Sequence, residues 1–436
     1  MGLLERSRDG TVTKCILLLD EALRQVHPRN FSVRLWDGSF LPPEPGRLSR
    51  FTLVIRSPAA LRTLLLSPNE LTLGEAFMYG EIDIEGEIGC AFPLADHLVR
   101  YRPRVGERFR WAKALLSLPA RAPALRGGLR VRIDGELHSI DRDRKAVTYH
   151  YDLSNDFYAL WLDRRMVYSC GYFAGPRDDL DTAQERKLDL VCRKLRLRPG
   201  ERFLDIGCGW GGLLLHAALR YGVEAVGITL SRPQADLAGE RIREAGLSGR
   251  CRVEIADYRE MNGEGLFDKI ASVGMVEHVG LARLADYFRQ AFRLLRPGGV
   301  FLNHGIALNP AYPAPPGPSF SDHYIFPDGE ILPLSTMLRV AEEEGFEVRD
   351  VECLREHYVR TLTHWRKRLE ARADEAIRIV GEPTCRAWRL YLAGAAHTFS
   401  VGKNSVHQAL LLRPDGGRSG LPPTREDWYG RRLRSC

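Results

Sequence analysis

The sequence predicts an α/β protein with a mostly parallel sheet that carries helices on both faces, preceded by a smaller α+β domain. Two observations support this prediction. From residue 148 onward, apolar runs of strand length alternate with segments of helical periodicity, which is the pattern of a parallel sheet. Within that region, residues 203–212 join an apolar strand to a helix through a glycine-rich turn. Residues 13–98 also mix strand and helix patterns, but they carry no such loop.

The smaller domain is predicted to span 1–102. Apolar residues recur at helical spacing from Val12, and the alternation that begins at Phe31 indicates a strand. A second strand is predicted from Phe51, and a second helix from Pro58. This order of elements is typical of a small α+β domain.

The segment 103–146 is predicted to be a basic linker or exposed arm. Pro119 and the pair Gly127-Gly128 interrupt regular structure, and many arginines are interleaved with apolar residues such as Phe109 and Trp111. A basic and apolar mixture suits the surface of an anionic bilayer. It suits nucleic acid as well, and an arginine-rich solvated linker is the plain alternative.

The larger domain is predicted to span 147–436. Its expected elements, in chain order, are strand 202–206, helix 211–220, strand 224–230, helix 232–245, strand 251–256, strand 267–273, helix 281–295 and strand 299–306. A turn at 297–299 is expected just before the last strand. The proline-rich stretch 310–318 is expected to begin an excursion over the active site.

The glycine turn predicts a nucleotide site, because glycines let a ligand approach backbone N–H groups at a helix N-terminus. The P-loop pattern is not met, since no lysine follows Gly212. Gly207, Gly209 and Gly212 satisfy the dinucleotide pattern, but the next strand ends without the acid that would bind a ribose. S-adenosylmethionine fits better, because Asp205 precedes the turn and Asp257 follows the third strand.

The bulk properties are those of an ordinary globular protein. The chain has 436 residues and a formal net charge of +7, and it is long enough for two or three domains with their own cores. Its nine cysteines are scattered, so we expect reduced thiols and no metal site. The sequence has no apolar signal core and no window of membrane-spanning length, which favours a cytoplasmic protein.

Nine sequence blocks together resemble a known family. They are His150-Tyr-Asp-Leu-Ser-Asn-Asp-Phe-Tyr, Tyr168-Ser-Cys-Gly-Tyr, Leu204-Asp-Ile-Gly-Cys-Gly-Trp-Gly, Gly227-Ile-Thr-Leu-Ser, Ala256-Asp-Tyr-Arg, Met275-Val-Glu-His-Val-Gly, Asn303-His-Gly-Ile, Tyr324-Ile-Phe-Pro-Asp-Gly and Tyr358-Val-Arg-Thr-Leu. The glycine block alone indicates only a methyltransferase. In this order, across 149–358, the blocks resemble the cyclopropane-fatty-acyl-phospholipid synthases and the mycolic acid cyclopropane synthases. Residues 1–100 are similar to the lipid-carrier-like N-terminal domain of the longer synthases.

The resemblance implies a class I methyltransferase fold, which is Rossmann-like, and a lipid-binding N-terminal domain. It implies that a methyl group passes from S-adenosylmethionine to a cis double bond of an unsaturated phospholipid acyl chain. A bound bicarbonate ion would then deprotonate the resulting carbocation, and a cyclopropane ring would close. The ligands of that ion carry over to the predicted catalytic residues Cys170, Glu277, His304, Ile306 and Tyr358.

These residue types suit an anion that acts as a base. His304 and Tyr358 can donate hydrogen bonds, and backbone N–H groups at Cys170 and Ile306 would bind an anion. Glu277 can accept the bicarbonate O–H, and its negative charge would stabilise a nearby cation. Taken alone, a buried cysteine or histidine is ordinarily a core residue, so the interpretation depends on the whole pattern.

The same resemblance assigns the cofactor site. Its residues carry over to Tyr168, Ser169, Asp205, Gly207, Gly209, Gly211, Thr229, Ser231, Gln234, Asp257 and Tyr258. We expect Asp205 to organise the ammonium end of the cofactor and Asp257 to accept a hydrogen bond from the adenine amino group. The expected partners are unsaturated phospholipids at a membrane surface, with peripheral attachment, no nucleic acid and a second copy of the chain as a homodimer.

Four alternatives remain open on the sequence. One is a related enzyme that alters other unsaturated lipids, such as polyunsaturated or oxygenated chains. A hydride shift before proton loss would give a methylene- or methyl-branched acyl chain from the same site residues. A lipid carrier without activity could retain the cofactor, although Glu277, His304 and Tyr358 are all present. An RNA methyltransferase would account for the basic segment, but no RNA-binding module is recognisable.

Overall fold

The computed structural model describes residues 10–66, 68–101, 105–119, 129–312 and 317–429, without the side chains of 105 and 108. The described residues form two compact units. The first unit comprises those in Met1–Arg132, Pro313–Ile325 and Ala373–His397, and the second those in Ile133–Tyr312, Phe326–Arg372 and Thr398–Cys436. Neither predicted boundary, 102 or 146, coincides with the change of unit after residue 132.

The helices and strands are numbered in chain order. The helices are α1 (Gly10–Leu23), α2 (Pro58–Leu66), α3 (Glu70–Met78), α4 (Phe92–Arg100), α5 (Val105–Leu116), α6 (Ile140–Tyr151), α7 (Asn155–Ala159), α8 (Leu180–Leu195), α9 (Gly212–Tyr221), α10 (Arg232–Glu244), α11 (Leu284–Leu294), α12 (Phe320–Tyr324), α13 (Leu334–Glu343), α14 (Arg355–Ala371), α15 (Ala373–Val380), α16 (Glu382–Ser400) and α17 (Glu426–Tyr429). The strands are β1 (Ser32–Arg34), β2 (Phe40–Leu41), β3 (Phe51–Ile55), β4 (Ile82–Gly86), β5 (Arg202–Ile206), β6 (Glu224–Thr229), β7 (Cys251–Ile255), β8 (Phe267–Val273), β9 (Leu295–Leu308), β10 (Glu347–Cys353) and β11 (Asn404–Leu412). None of the helices in the described ranges is long and apolar enough to cross a membrane.

The first unit is an α+β domain built on a four-stranded sheet. Its strand order is β2-β1-β3-β4, and β1 runs parallel to β3 while the other neighbours are antiparallel. Phe31 stacks on Phe51 with ring centroids 4.9 Å apart, and Ala393 of α16 joins the same apolar core. The ring of Phe320 lies against Gly74, where a Cβ atom would approach it to 2.3 Å. Segments 317–325 and 373–397, which the sequence assigns to the larger domain, therefore pack with the first unit.

The segment expected to be a linker is helical in much of its described length. In α5, Trp111 and Leu115 are buried in the core of the first unit, and Leu118 follows them at helical spacing. Ser139 caps α6 by accepting from the Arg142 amide. The expectation of a linker is wrong for α5 and α6, because the charged residues of α5, two of them arginines, masked its apolar periodicity.

The second unit contains a seven-stranded sheet in the order β10-β11-β9-β8-β5-β6-β7. Strand β11 is antiparallel to both of its neighbours, and the pairs from β9 to β7 are all parallel. Leu204 and Ile206 belong to the core on one face of this sheet and Phe203 to the core on the other. The sheet is therefore mostly parallel with helices on both faces, as predicted, and β5 lies where the strand order reverses.

Two details of the second unit differ from the prediction. Strand β9 begins at Leu295, so the expected turn at 297–299 is a bulge inside the strand. Phe267 pairs with Leu295 and Lys269 pairs with Val300. The four residues 296–299 of β9 therefore lie opposite the single residue Asp268 of β8. Strands β10 and β11 were not predicted, because they follow the region in which strand and helix patterns alternate most clearly.

Candidate functional site

The glycine turn opens a cavity at the carboxyl end of β5. Gly207 and Gly209 have φ angles of +80° and +53°, a left-handed conformation that favours glycine. The amides of Gly207 and Cys208 donate to the Ile228 carbonyl at 3.0 and 2.9 Å, and this ties the turn to β6. The turn thus leads from the sheet edge into α9, with the cavity beside it.

Nine of the eleven predicted cofactor residues line this cavity. They are Tyr168, Ser169, Asp205, Gly207, Gly209, Thr229, Gln234, Asp257 and Tyr258. Gly211 and Ser231 do not line it, and the structure gives them other roles. Gly211 is the N-cap residue of α9, and the Ser231 hydroxyl accepts from the Gln234 amide at the start of α10. Their position in the motifs reflects helix capping.

Asp257 is held in place by Arg259. The guanidinium Nε donates to Asp257 Oδ1 at 2.8 Å and its Nη2 to Oδ2 at 2.6 Å. The same guanidinium reaches Asp143 Oδ2 on α6 at 2.9 Å. A carboxylate oxygen accepts more than one hydrogen bond, so Asp257 can still accept from an adenine amino group while its orientation is set by Arg259.

The amino-acid end of the predicted cofactor site contains a buried carboxyl and a buried ammonium. Burial raises the pKa of Asp205 to about 7, and the charge of Lys187 opposes that shift. Burial also lowers the pKa of Lys187 to about 8. The Lys187 ammonium donates to Ser169 Oγ at 2.9 Å, and both residues line the cavity.

We call the five predicted catalytic residues the catalytic wall. Cys170, Glu277 and His304 lie next to residues that line the cavity, along the chain or on a neighbouring strand. Cys170 follows the lining residue Ser169, and Glu277 lies between Met275 and His278, which both line the cavity. On the next strand, the His304 carbonyl accepts from the Gly274 amide at 2.8 Å. None of the five is itself a lining residue.

Glu277 and Ile306 are joined directly. Glu277 Oε1 accepts from the Ile306 amide at 2.7 Å, whereas Oε2 is buried with no hydrogen-bond partner in the described chain. A Cβ atom on Gly305 would lie 2.3 Å from Val276, so glycine is required for this close approach to β9. Burial raises the pKa of Glu277 to about 7. The expectation that the Ile306 amide binds an anion is therefore wrong in this structure, because Glu277 occupies it.

His304 presents one ring nitrogen to the protein and leaves the other unpartnered. Gln408 Nε2 of the paired strand β11 lies 3.1 Å from His304 Nδ1. With Nδ1 as acceptor the neutral ring carries its proton on Nε2, and Nε2 is buried without a partner among the described residues. Burial holds the pKa of His304 well below its usual value, so the ring is neutral at physiological pH.

Helix α14 brings Cys170 and Tyr358 together. The Cys170 thiol lies 3.7 Å from the Leu354 carbonyl, and the Gly171 amide donates to Thr361 Oγ1 at 3.0 Å. Tyr358 lies between Leu354 and Thr361 on this helix. Burial raises the pKa of the Cys170 thiol far above its usual value, so the thiol is neutral and unsuited to act as a nucleophile.

Sequence reasoning missed several residues that line the cavity. Asp143 lines the cavity but lies in the segment predicted as a linker. Ser139, which caps the start of α6, was the signal that could have indicated a helix there. His278, expected to be structural, lines the cavity and stacks on Phe326 with centroids 4.3 Å apart. Lys187 gave no signal, since a lysine in an amphipathic helix ordinarily faces solvent.

Comparison with known proteins identifies relatives over most of the chain. Residues 138–409 match the family model described as mycolic acid cyclopropane synthetase, and residues 18–92 match a domain of unknown function. A probable fatty acid methyltransferase of Pseudomonas putida is 41% identical, covering 94% of this chain and 99% of the relative. The cyclopropane-fatty-acyl-phospholipid synthase of Escherichia coli is 37% identical, covering 63% of this chain and 69% of its own length.

A solved structure is similar as well. The mycolic acid cyclopropane synthase CmaA1, complexed with S-adenosylhomocysteine and CTAB, superimposes with a TM-score of 0.59 at 34% identity, over 62% of this chain and 98% of that chain. The likeness confirms the predicted class I methyltransferase fold. It also supports the choice of S-adenosylmethionine over a dinucleotide, because that relative binds the demethylated form of the same cofactor.

Proposed function

The chain belongs to the mycolic acid cyclopropane synthetase family, and on this premise we propose that it transfers the methyl group of S-adenosylmethionine to a double bond in a lipid acyl chain. The product is a cyclopropane ring. The observation that carries the proposal is that Glu277 and His304, which adjoin residues lining the cofactor cavity, each keep a buried polar atom without a hydrogen-bond partner among the described residues. Such atoms are costly to bury and are typical of reaction sites.

We propose an unsaturated phospholipid as the acyl substrate. The Escherichia coli relative is named for that substrate class, and the Pseudomonas putida relative is named for fatty acids. Both substrates present a cis double bond in an apolar chain, so the chemistry at the catalytic wall is the same. The lipid head group would then affect how the acyl chain reaches the site from the membrane, and not the reaction at the double bond.

The residues of the chain meet the requirements of a carbocation reaction. The cofactor supplies an electrophilic methyl group when it is bound. Tyr168, Tyr151 and Trp210 line the cavity, and aromatic faces stabilise cations without reacting with them. Glu277 and His304 are buried, which limits the access of water to the cation. Water would otherwise add to the cation and give an alcohol.

The catalytic wall can hold a bicarbonate ion as the base that removes the final proton. The His304 Nε2–H can donate to it, and Glu277 Oε2 can accept its O–H. The Cys170 amide makes no hydrogen bond to another described residue and supplies a second donor, and the Tyr358 hydroxyl is a third candidate. The Ile306 amide contributes only by fixing Glu277. The polar atoms at Cys170, Glu277 and His304 support the proposal that the wall takes such an ion.

A product assay tests the proposed function. The protein would be incubated with methyl-labelled S-adenosylmethionine and vesicles of a monounsaturated phospholipid, or with the free fatty acid. We expect labelled phospholipid whose released acyl chains show the high-field protons of a cyclopropane ring. Vinylidene protons or a methyl branch would establish the alternative product. Label found only in the free fatty acid would show that the free acid, and not the phospholipid, is the substrate. No label in any lipid would refute the proposal.

We also propose that helix α5 of the first unit docks on an anionic membrane. Phe109 and Leu116 are 75% and 58% exposed, and Lys113 and Arg110 are exposed beside them. Phe109, Lys113 and Leu116 follow at spacings of four and three, so they share one face, while the opposite face is buried in the core. An exposed helix face that mixes apolar and basic side chains is complementary to anionic head groups over acyl chains.

Vesicle co-sedimentation tests this docking. We expect binding to vesicles that contain phosphatidylglycerol to exceed binding to phosphatidylcholine alone, and to weaken as salt is raised. Phe109→Ser should weaken it roughly tenfold, since burying a phenyl ring contributes about 1.5 kcal/mol or more. Phe40→Ser, at another exposed phenylalanine of the same unit, should leave binding unchanged. Equal losses in the two variants, or binding indifferent to salt, would contradict the assignment to α5.

A further inference from the structure

Helix α8 holds the segment Val167-Tyr168-Ser169 with two buried polar side chains on one face. Gln184 Nε2 donates to the carbonyl oxygens of Ser169 at 2.8 Å and Val167 at 3.3 Å. One turn later, Lys187 Nζ donates to Ser169 Oγ at 2.9 Å. Gln184 thus fixes the backbone of the segment, and Lys187 engages the side chain that faces the cavity.

Lys187 is an unusual residue at this position. Its side chain is 1% exposed, and in the described chain its ammonium makes no ion pair with a carboxylate. The Asp163 carboxylate accepts from the Val167 and Arg165 amides, and its charge favours the ammonium form of Lys187 without an ion pair between them. Lys194, also 1% exposed and seven residues further along α8, is paired with Glu352. Burying an ammonium is costly. The charges of Asp163 and Asp205 favour the ammonium form of Lys187, and its one side-chain hydrogen bond within the described chain is to Ser169, so Lys187 keeps donors for an anion in the cavity.

The cavity beside Lys187 is where such an anion would lie. Lys187, Ser169 and Asp205 all line it. An ammonium has no lone pair, so Lys187 must donate to Ser169 Oγ, and the Ser169 hydroxyl hydrogen must then point to another acceptor. The methionine moiety of S-adenosylmethionine carries one carboxylate and one ammonium group, which complement Ser169 with Lys187 and Asp205 respectively.

We propose that Lys187 is a positioning residue for the cofactor, which holds the Ser169 hydroxyl as a hydrogen-bond donor to the methionine carboxylate and supplies the positive charge that compensates it. This inference rests on the proposed use of S-adenosylmethionine. It assigns to Lys187 a role in binding, and it makes Ser169 and Lys187 a coupled pair. Lys187 does not touch the reacting methyl group in this assignment.

Ligand binding by calorimetry tests the assignment without turnover. The two probes are S-adenosylhomocysteine, which carries the methionine carboxylate, and 5′-methylthioadenosine, which lacks the amino-acid end. We expect Lys187→Met to weaken S-adenosylhomocysteine binding by about tenfold to a hundredfold, the range for a charge-assisted hydrogen bond. Binding of 5′-methylthioadenosine should change less than about twofold. A structural role alone would weaken both probes alike, and that result would overturn the proposal.

Three further variants separate the pair from general effects of mutation. Lys194→Met removes the paired buried lysine of the same helix, and the folded variant should bind S-adenosylhomocysteine with wild-type affinity. If Lys187 acts through Ser169, the losses in Ser169→Ala and Lys187→Met should be less than additive in the double variant. Fully additive losses would show that Lys187 does not act through Ser169, and would overturn the coupled role.

The inference and the proposed function can fail separately. If the wild type binds S-adenosylhomocysteine and the Lys187 effect is found, but no lipid is methylated, the lipid substrate is wrong and the cofactor role of Lys187 stands. If lipid is methylated and Lys187→Met binds S-adenosylhomocysteine within twofold of the wild type, the role of Lys187 is wrong alone. If the wild type binds neither probe, both fail together.

Discussion

The cofactor cavity and the catalytic wall adjoin each other, yet their polar groups are satisfied differently. In the cavity, Asp257 is fixed by Arg259, and the Thr229 hydroxyl donates to Gln234 Oε1 at 2.8 Å. On the wall, Glu277 and His304 each make one hydrogen bond through one side-chain atom and leave a second buried atom without a described partner. The difference indicates that Asp257 and Gln234 in the cavity are oriented by the protein in advance, whereas Glu277 and His304 keep hydrogen-bonding capacity in the described structure.

The sharpest test of this division is Glu277→Gln, for which we expect the largest effect. The amide keeps the size of the side chain and removes its acid–base capacity, so kcat should fall by a factor of about 10² to 10⁴. The affinity for S-adenosylhomocysteine should stay within about threefold, because Glu277 does not line the cavity. The measurements are labelled-methyl turnover and calorimetry.

The matched control is Glu330→Gln. Glu330 is a neighbouring carboxylate that accepts from the Leu281 amide at 2.8 Å and lies outside both the cavity and the wall. We expect wild-type turnover. If Glu277→Gln lost cofactor affinity in proportion to its turnover, the cavity and the wall would be a single functional unit.

Arg259→Met tests the cavity in the same way, and we expect it to have a smaller effect than Glu277→Gln. Asp257 would lose the two hydrogen bonds that orient it and would stay buried as a charge. We expect the affinity for S-adenosylhomocysteine to fall about tenfold, the scale of one charged hydrogen bond. At saturating cofactor, kcat should stay within about twofold.

Arg289→Met is the control for Arg259→Met, because Arg289 is an exposed arginine that pairs with Asp286 and Glu344. It should leave both affinity and turnover unchanged. A fall in kcat at saturating cofactor in Arg259→Met, equal to its loss of affinity, would contradict the separation of binding from reaction.

The last effect concerns stability and not binding or turnover, and it is a pH dependence that the two regions share. Burial raises the pKa of both Asp205 in the cavity and Glu277 on the wall to about 7. Between their unfolded pKa values near 4 and that value, the folded chain binds more protons than the unfolded chain, so its stability falls as pH rises through this window. Asp205→Asn and Glu277→Gln should remove about 4 and about 3 kcal/mol of that loss respectively.

Urea unfolding at several pH values between 4 and 8 measures this dependence in the cofactor-free protein. Glu330→Gln, at a residue partly exposed to solvent, should keep the wild-type slope. Asp205→Asn could instead show the same dependence of the unfolding free energy on pH as the wild type. That result would mean that Asp205 is ionised in the folded chain, and that Lys187 compensates its charge without the cofactor.

Much of the cofactor site was predictable because its residues lie in short contiguous segments. The glycine turn after β5 and the acid after β7 stand at strand ends, and a parallel sheet brings those ends to one edge. Gly211 and Ser231 were placed in the cavity because they belong to the same segments. Contiguity in sequence does not distinguish a residue that faces a ligand from one that caps the adjoining helix.

The catalytic wall was identified only through the family resemblance. Cys170, Glu277, His304 and Tyr358 lie in four distant segments, and each one alone is an ordinary core residue. The hydrogen bond from the Ile306 amide to Glu277 depends on the close approach of Val276 to Gly305. That approach is a property of packing between β9 and the segment after β8, which no local pattern records.

The sequence by itself determined the parallel sheet, the glycine turn and the choice of cofactor, because each follows from local periodicity and from conformations that glycine favours. Tertiary structure decided which buried polar groups have partners. It placed Lys187 against Ser169, paired Lys194 with Glu352, and moved 373–397 into the first unit. The physical reason is that the cost of burying a charge depends on what surrounds it in space, and identical residue types on one helix can meet opposite surroundings.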